Sequence, residues 1–186
     1  QACAGVAAAH AVGIVHRDLK PSNLYLTIDA TGKPRLKVID FGIARDAQAC
    51  GPRLTREGET LGSVSHMAPE QFTSAATADE RADVWALGVV LFNLLTGRTP
   101  FPGADAAAVE AAVCNEPPAA LGPVDPRLES IVLRCLAKNP GARYATVAEL
   151  DADLAAVDLH DADVSSRIVS LLRRGRRSPM SFQAAH

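Results

Sequence analysis

The chain has 186 residues, a formal net charge of −2 and 48% apolar residues. That is enough for one domain with a substantial core, and the even charge balance argues against nucleic acid as a partner. Cys3, Cys50, Cys114 and Cys135 form no C-x-x-C pair, and no apolar run approaches a membrane span or a secretory leader within this stretch, so the thiols are read as reduced in a cytosolic setting.

Residues 1–12 are helix-favouring but lack an N-cap and an initiating Met, as though the chain begins mid-helix; Gly13 is the expected stop. His10, near that end, reads as a packing or capping histidine. Ile14-Val15 are expected to form a short apolar strand. It leads into His16-Arg17-Asp18-Leu19-Lys20-Pro21-Ser22-Asn23, a loop dense in polar groups. Leu24-Tyr25-Leu26-Thr27-Ile28 and Leu36-Lys37-Val38-Ile39 are β-rich runs joined by a turn-rich linker, which predicts a small antiparallel pair. Such a pair fixes the polar loop relative to Asp40-Phe41-Gly42 and lets Asn23 and Asp40 converge.

Residues 43–67 mix Gly, Pro, Ser, Thr and charge without a period, and a loop of that length inside a compact domain is usually functional or mobile. Residues 82–96 are apolar almost all round, as in a helix buried in a large core, with Gly97 as its stop and Trp85 as core. Residues 104–114 and 126–137 have helical composition, the second opened by Asp125-Pro126 as cap and first-turn proline, and a last helix is expected over 146–157. Beyond His160 the pattern is lost in a basic, serine-bearing tail, read as a solvated linker or as a juxtamembrane or docking segment.

The two polar loops offer one carboxylate, one ammonium, one carboxamide and a second carboxylate. That set suits phosphoryl transfer. Asp18 can orient an acceptor hydroxyl and take its proton, Lys20 can neutralise charge on the group in flight, and Asn23 and Asp40 are hard oxygen ligands for Mg²⁺.

These residues also match the H-R-D-L-x-x-x-N and D-F-G patterns of protein kinases, and Ala68-Pro69-Glu70 and Asp83-Val84-Trp85-Ala86-Leu87-Gly88 follow in the family's order. The sequence therefore resembles the large lobe of a bacterial-type Ser/Thr protein kinase over roughly residues 1–158, with residues 159–186 as the tail. The resemblance implies a mainly α fold with a small antiparallel β pair, large lobe only, acting with ATP and Mg²⁺ on Ser/Thr hydroxyls of protein substrates. Lys20, two residues after Asp18, is the Ser/Thr-kinase choice.

The resemblance further implies that Leu26 lies in the floor beneath the adenine, that Asp83 holds the backbone of the catalytic loop, and that Glu70 pairs with Arg143. Arg17 is the residue with which many relatives sense a phosphorylated activation segment; Thr55 is the expected phosphosite and Thr60 the competitor, with Glu57 supplying fixed charge. Ser63 stands for the usual Thr and keeps a hydroxyl able to bond Asp18 and Lys20. His66 stands for the usual Tyr and leaves the shape of the acceptor-side pocket open. The Gly-rich loop, the V-A-I-K lysine and its glutamate are absent from these residues, so a small lobe in cis is an expected partner and the 186 residues alone are expected to be catalytically silent. A cytoplasmic location is expected, or the cytoplasmic face of a membrane reached through segments outside this chain. The competing classes are a pseudokinase or binding module, against which Asp18, Asn23 and Asp40 stand intact, and small-molecule phosphotransfer, against which Ala68-Pro69-Glu70 stands.

Overall fold

A computed structural model describes residues 1–41, 61–73 and 78–157. In chain order it has α1 (Ala2–His10), β1 (Leu24–Ile28), β2 (Pro34–Val38), α2 (Leu61–Val64), α3 (Pro69–Thr73), α4 (Arg81–Thr96), α5 (Ala106–Asn115), α6 (Pro126–Cys135) and α7 (Val147–Ala155). The mainly helical expectation with one β pair holds over these residues.

The core is built around α4. Its sequence RADVWALGVVLFNLLT has no polar stripe, so it can bury most of its circumference, and Val84, Trp85, Val89 and Phe92 are fully buried. Gly97 ends it in the left-handed conformation at φ 70°, a shape glycine adopts without steric cost. Gly88 lets α6 come close: a Cβ at that position would lie 2.4 Å from the Cβ of Cys135. Trp85 stacks on Phe101 at 5.4 Å, which ties the start of α4 to the segment before α5.

Local signals set the other helices. Asp125 caps α6 by accepting from Arg127 N, with Pro126 at the first position, and Thr146 caps α7 through Glu149 N. Asp105 does the same for α5 through Ala108 N. The Lys138 ammonium covers the C-terminal end of α5, donating to Val113 O and lying 3.9 Å from the centre of the Phe101 ring. Burial pulls its amine down to about 8.

The strands pair antiparallel, with Leu24 opposite Val38, Leu26 opposite Leu36 and Ile28 opposite Pro34. Asp29 organises the turn between them, its carboxylate accepting from Thr31 N, Thr31 Oγ1 and Lys33 N. The pair leans on α1, where Gly5 leaves room for Val38: a Cβ there would lie 3.1 Å from Val38 Cγ2.

Two expectations are corrected. Ile14-Val15 do not form a strand; the Ile14 N–H closes back on Ala9 O at 3.0 Å, continuing the turn out of α1 instead of finding a ladder partner. The expected loop over 43–67 ends in a helical turn, α2, and α3 follows it. No helix among the described residues is long and apolar enough to cross a membrane.

Candidate active site

Asp18, Lys20 and Ser63 meet at one point. Lys20 Nζ donates to Asp18 Oδ2 at 2.9 Å and to Ser63 Oγ at 2.9 Å. Leu19 between them is 1% exposed, so the apolar residue anchors the loop in the core while its neighbours turn outward. The carboxylate and ammonium side chains keep 18% and 22% exposure, open enough to meet a solute.

The loop is held from below by Asp83. Its Oδ1 accepts from Arg17 N at 2.8 Å and its Oδ2 from His16 N at 2.8 Å. Arg17 takes a left-handed backbone, φ 61°, which costs a non-glycine residue about 1–2 kcal/mol. Both of its peptide groups are pinned, since Gln71 Nε2 donates to Arg17 O at 3.0 Å. A buried carboxylate that accepts several N–H groups offsets both its own desolvation and the backbone strain. His10 Nε2 completes the set at 2.7 Å from Asp83 Oδ2, and its Nδ1 lies 3.4 Å from Glu80.

The second loop is joined to the first through His16. Asp18 N donates to His16 Nδ1 at 3.3 Å, which leaves the proton on Nε2, and Nε2 donates to Ile39 O at 3.0 Å. The ring is wholly buried and packs against Phe41 at 4.6 Å. Ile39 N in turn donates to Asn23 O at 3.0 Å. Asp40, next in the chain, is exposed and also left-handed at φ 56°. Asn23 is buried, with Nδ2 donating to Asp18 O at 2.8 Å, so its Oδ1 is the atom left to face a ligand; Ser22 Oγ lies 3.4 Å from it. The backbone bond from residue 39 to residue 23 is what brings the Asn23 and Asp40 loops side by side.

The protein kinase domain family matches residues 1–153. Among curated relatives the chain is 46% identical over 152 residues to the serine/threonine-protein kinase Pkn1 of Myxococcus xanthus, covering 80% of this chain and 22% of that protein. It is 37% identical over 173 residues to the serine/threonine-protein kinase PknB of Mycolicibacterium smegmatis, covering 91% and 27%. It is 40% identical over 189 residues to PknB of Mycobacterium tuberculosis, covering 100% and 29%. The chain belongs to the protein kinase family. These three relatives are bacterial Ser/Thr kinases, and the chain spans between 22% and 29% of their lengths.

In this family member α3, which carries Glu70, is clamped to the turn before α7. Arg143 Nη1 and Nη2 donate to Glu70 Oε1 and Oε2 at 2.7 and 2.8 Å. The guanidinium is fully buried, and further donates to Ala137 O, Arg81 O and Lys138 O. Asp83 thus contacts the backbone of residues 16 and 17, and Glu70 contacts Arg143. Leu26 lies half-buried on β1 opposite Leu36. Gly42, Thr55, Glu57, Thr60, Cys50 and the tail lie outside the described residues.

Sequence reasoning missed Gln71, which donates to Arg17 O while its Oε1 accepts from Ala68 N at 2.9 Å. No local pattern marks it; its position just after Ala68-Pro69-Glu70 is the only signal. It also undervalued His10, whose bond to Asp83 spans 73 residues.

Proposed function

We propose that this chain acts as the large lobe of a Ser/Thr protein kinase, with the Gly-rich loop and small-lobe lysine contributed by residues outside these 186. The observation that carries the reading is Lys20, 2.9 Å from both Asp18 and Ser63. It joins an acceptor-orienting carboxylate to the segment that precedes Ala68-Pro69-Glu70, as a transfer to a protein hydroxyl requires. Asp18 orients the Ser or Thr hydroxyl and receives its proton. Lys20 stabilises negative charge on the moving phosphoryl group, and Ser63 keeps Lys20 directed there.

Asn23 Oδ1 and the exposed Asp40 carboxylate fit Mg²⁺ bound with ATP, since both are hard oxygen donors on adjoining loops. The described residues hold no group of three His, Cys, Asp or Glu suited to a metal. Phosphate and water oxygens would complete such a shell, and the ion supplies charge neutralisation when bound. Leu26 is assigned to the adenine floor, Thr55 to autophosphorylation read by Arg17, and the enzyme to the cytoplasmic side, where ATP is available.

The test is the full-length protein with Mg-ATP and a protein acceptor, read by phosphoserine and phosphothreonine. Asp18→Asn is expected to cut transfer by about 10²–10⁴-fold without loss of fold. Near wild-type turnover by that variant overturns the assignment.

A further inference from the structure

Gln71 is buried, and its carboxamide works in two directions. Oε1 accepts from Ala68 N at 2.9 Å while Gln71 N donates to Ala68 O at 2.9 Å, the reciprocal pattern that closes the start of a helix, here α3. Nε2 points the other way, donating to Arg17 O at 3.0 Å across 54 residues of sequence. An N–H on one side and a C=O on the other fix the carboxamide in one orientation, oxygen toward Ala68 and nitrogen toward Arg17.

The Arg17 carbonyl belongs to the peptide unit that carries Asp18 N, and that N–H donates to His16 Nδ1 at 3.3 Å. The unit leading into Asp18 is thus held at both ends, by Gln71 and by His16. Arg17 stands in the left-handed region at φ 61°, so the unit gains by rotating out of it once released. Such a rotation carries the Asp18 carboxylate away from Lys20, which it meets at 2.9 Å. The support behind the tether is firm, because Arg143 grips Glu70, the residue before Gln71, at 2.7 and 2.8 Å.

From this geometry, and resting on the kinase reading above, we infer that Gln71 is a positioning residue for Asp18. It ties the peptide unit that precedes the acceptor-orienting carboxylate to α3, so that Asp18 is aimed only while Ala68-Pro69-Glu70 is seated on Arg143. Capping alone would give Gln71 a share in stability. The second bond gives it a share in turnover.

Substitutions separate the two roles. Gln71→Glu keeps an oxygen for Ala68 N, and so keeps the cap, but sets a carboxylate oxygen against Arg17 O. Two facing acceptors in a buried place are unfavourable. Protonation of that carboxyl restores the missing donor: its O–H bonds Arg17 O while its C=O accepts from Ala68 N. Gln71→Met has similar length and supplies no donor at any pH.

The experiment measures steady-state transfer from Mg-ATP to dephosphorylated casein by the full-length protein, from pH 8 to pH 5.5, with each variant expressed as a ratio to wild type. At pH 8 Gln71→Glu is expected to lower kcat about 5- to 150-fold, the range set by an unsatisfied buried carbonyl, with KM for ATP unchanged. That deficit narrows as pH falls, since burial beside a carbonyl raises the new carboxyl and lets it take up a proton. The deficit of Gln71→Met stays flat. Wild-type kcat in Gln71→Glu at pH 8, or a deficit that does not narrow, overturns the inference. Side-chain amide NMR of the wild type reads the bond without relying on a variant's folding: a Gln71 Nε2 proton that exchanges slowly with solvent sustains the tether, and free exchange overturns it. A wild type that transfers nothing at pH 8 counts against the kinase reading, whereas an active wild type with an unaffected Gln71→Glu counts against the tether alone.

Discussion

Arg143 grips Glu70 with both terminal nitrogens, at 2.7 and 2.8 Å, from a position of zero side-chain exposure. The pair joins α3 to the turn before α7. It is worth most when considered by subtraction. Removing the guanidinium strands a partly buried carboxylate and three carbonyls, Ala137, Arg81 and Lys138. Arg143→Ala is expected to cost about 3–5 kcal/mol, seen as a clear drop in melting temperature. Arg143→Lys should recover only part of it, since an ammonium cannot reproduce the two-pronged fork.

Ser63→Ala removes one of the two bonds that aim Lys20. A hydrogen bond to a charged group is worth about 1.5–3 kcal/mol, so phosphotransfer should fall about 10- to 150-fold if the bond acts in the transition state. Ser63→Thr keeps the hydroxyl and is expected to stay near wild type. Equal loss in both variants would show that packing, not the hydroxyl, matters at this buried site.

Gly88→Ala should destabilise the fold although it improves helix propensity by about 1 kcal/mol. The new methyl would sit 2.4 Å from Cys135 Cβ, an overlap that forces α4 and α6 apart at about 1–3 kcal/mol. Combining it with Cys135→Gly relieves the overlap, so the double variant is expected to be more stable than the sum of the single losses. Urea melts of the four proteins measure that coupling.

Alkaline pH should expose the buried thiols. Burial pushes Cys3 up to about 11 and Cys135 up to about 12 from an ordinary 9.0. The unfolded chain loses these protons first, so their contribution is complete below pH 9 and is lost as pH rises toward the folded values. Burial likewise raises the Tyr144 hydroxyl, and it acts in the same direction. Lys138 acts in the opposite sense between about 8 and 10.5. Urea stability is therefore expected to decline less steeply from pH 9 to 11 in Cys3→Ala/Cys135→Ala than in wild type, and identical slopes would count against thiol burial as the cause.

Most of what could be read in advance was local. Asp125-Pro126, Thr146 and Gly97 announce their helix ends because a cap is a contact over two or three residues. The catalytic and Asp40 loops were legible as chemistry because their polar residues are crowded together in sequence. The short helices α2 and α3 were not, since they carry no repeat and are fixed by distant bonds such as Lys20 to Ser63 and Gln71 to Arg17. Ile14-Val15 misled for the converse reason: strand-forming residues make a strand only where a neighbouring edge exists, and here Ala9 takes the Ile14 N–H.

The β1–β2 pair is the whole sheet among the described residues, and a two-stranded hairpin by itself is marginal in water. Its base is clamped by the Ile39–Asn23 bond and by the buried His16, while toward the tip the outside partner is the exposed Gln1 side chain, which donates to Pro34 O and accepts from Leu36 N, and the Asp29–Lys33 turn is closed by Asp29. Native-state hydrogen exchange should therefore run as a gradient along the hairpin. Amides near Ile28 and Arg35 would exchange through frequent local opening, those near Leu24 and Val38 more slowly, and those in the middle of α4 only with global unfolding. The oxygens of Asn23 and Asp40 sit at the protected foot of a fraying ribbon, steady in position while the strand ends above them open and close.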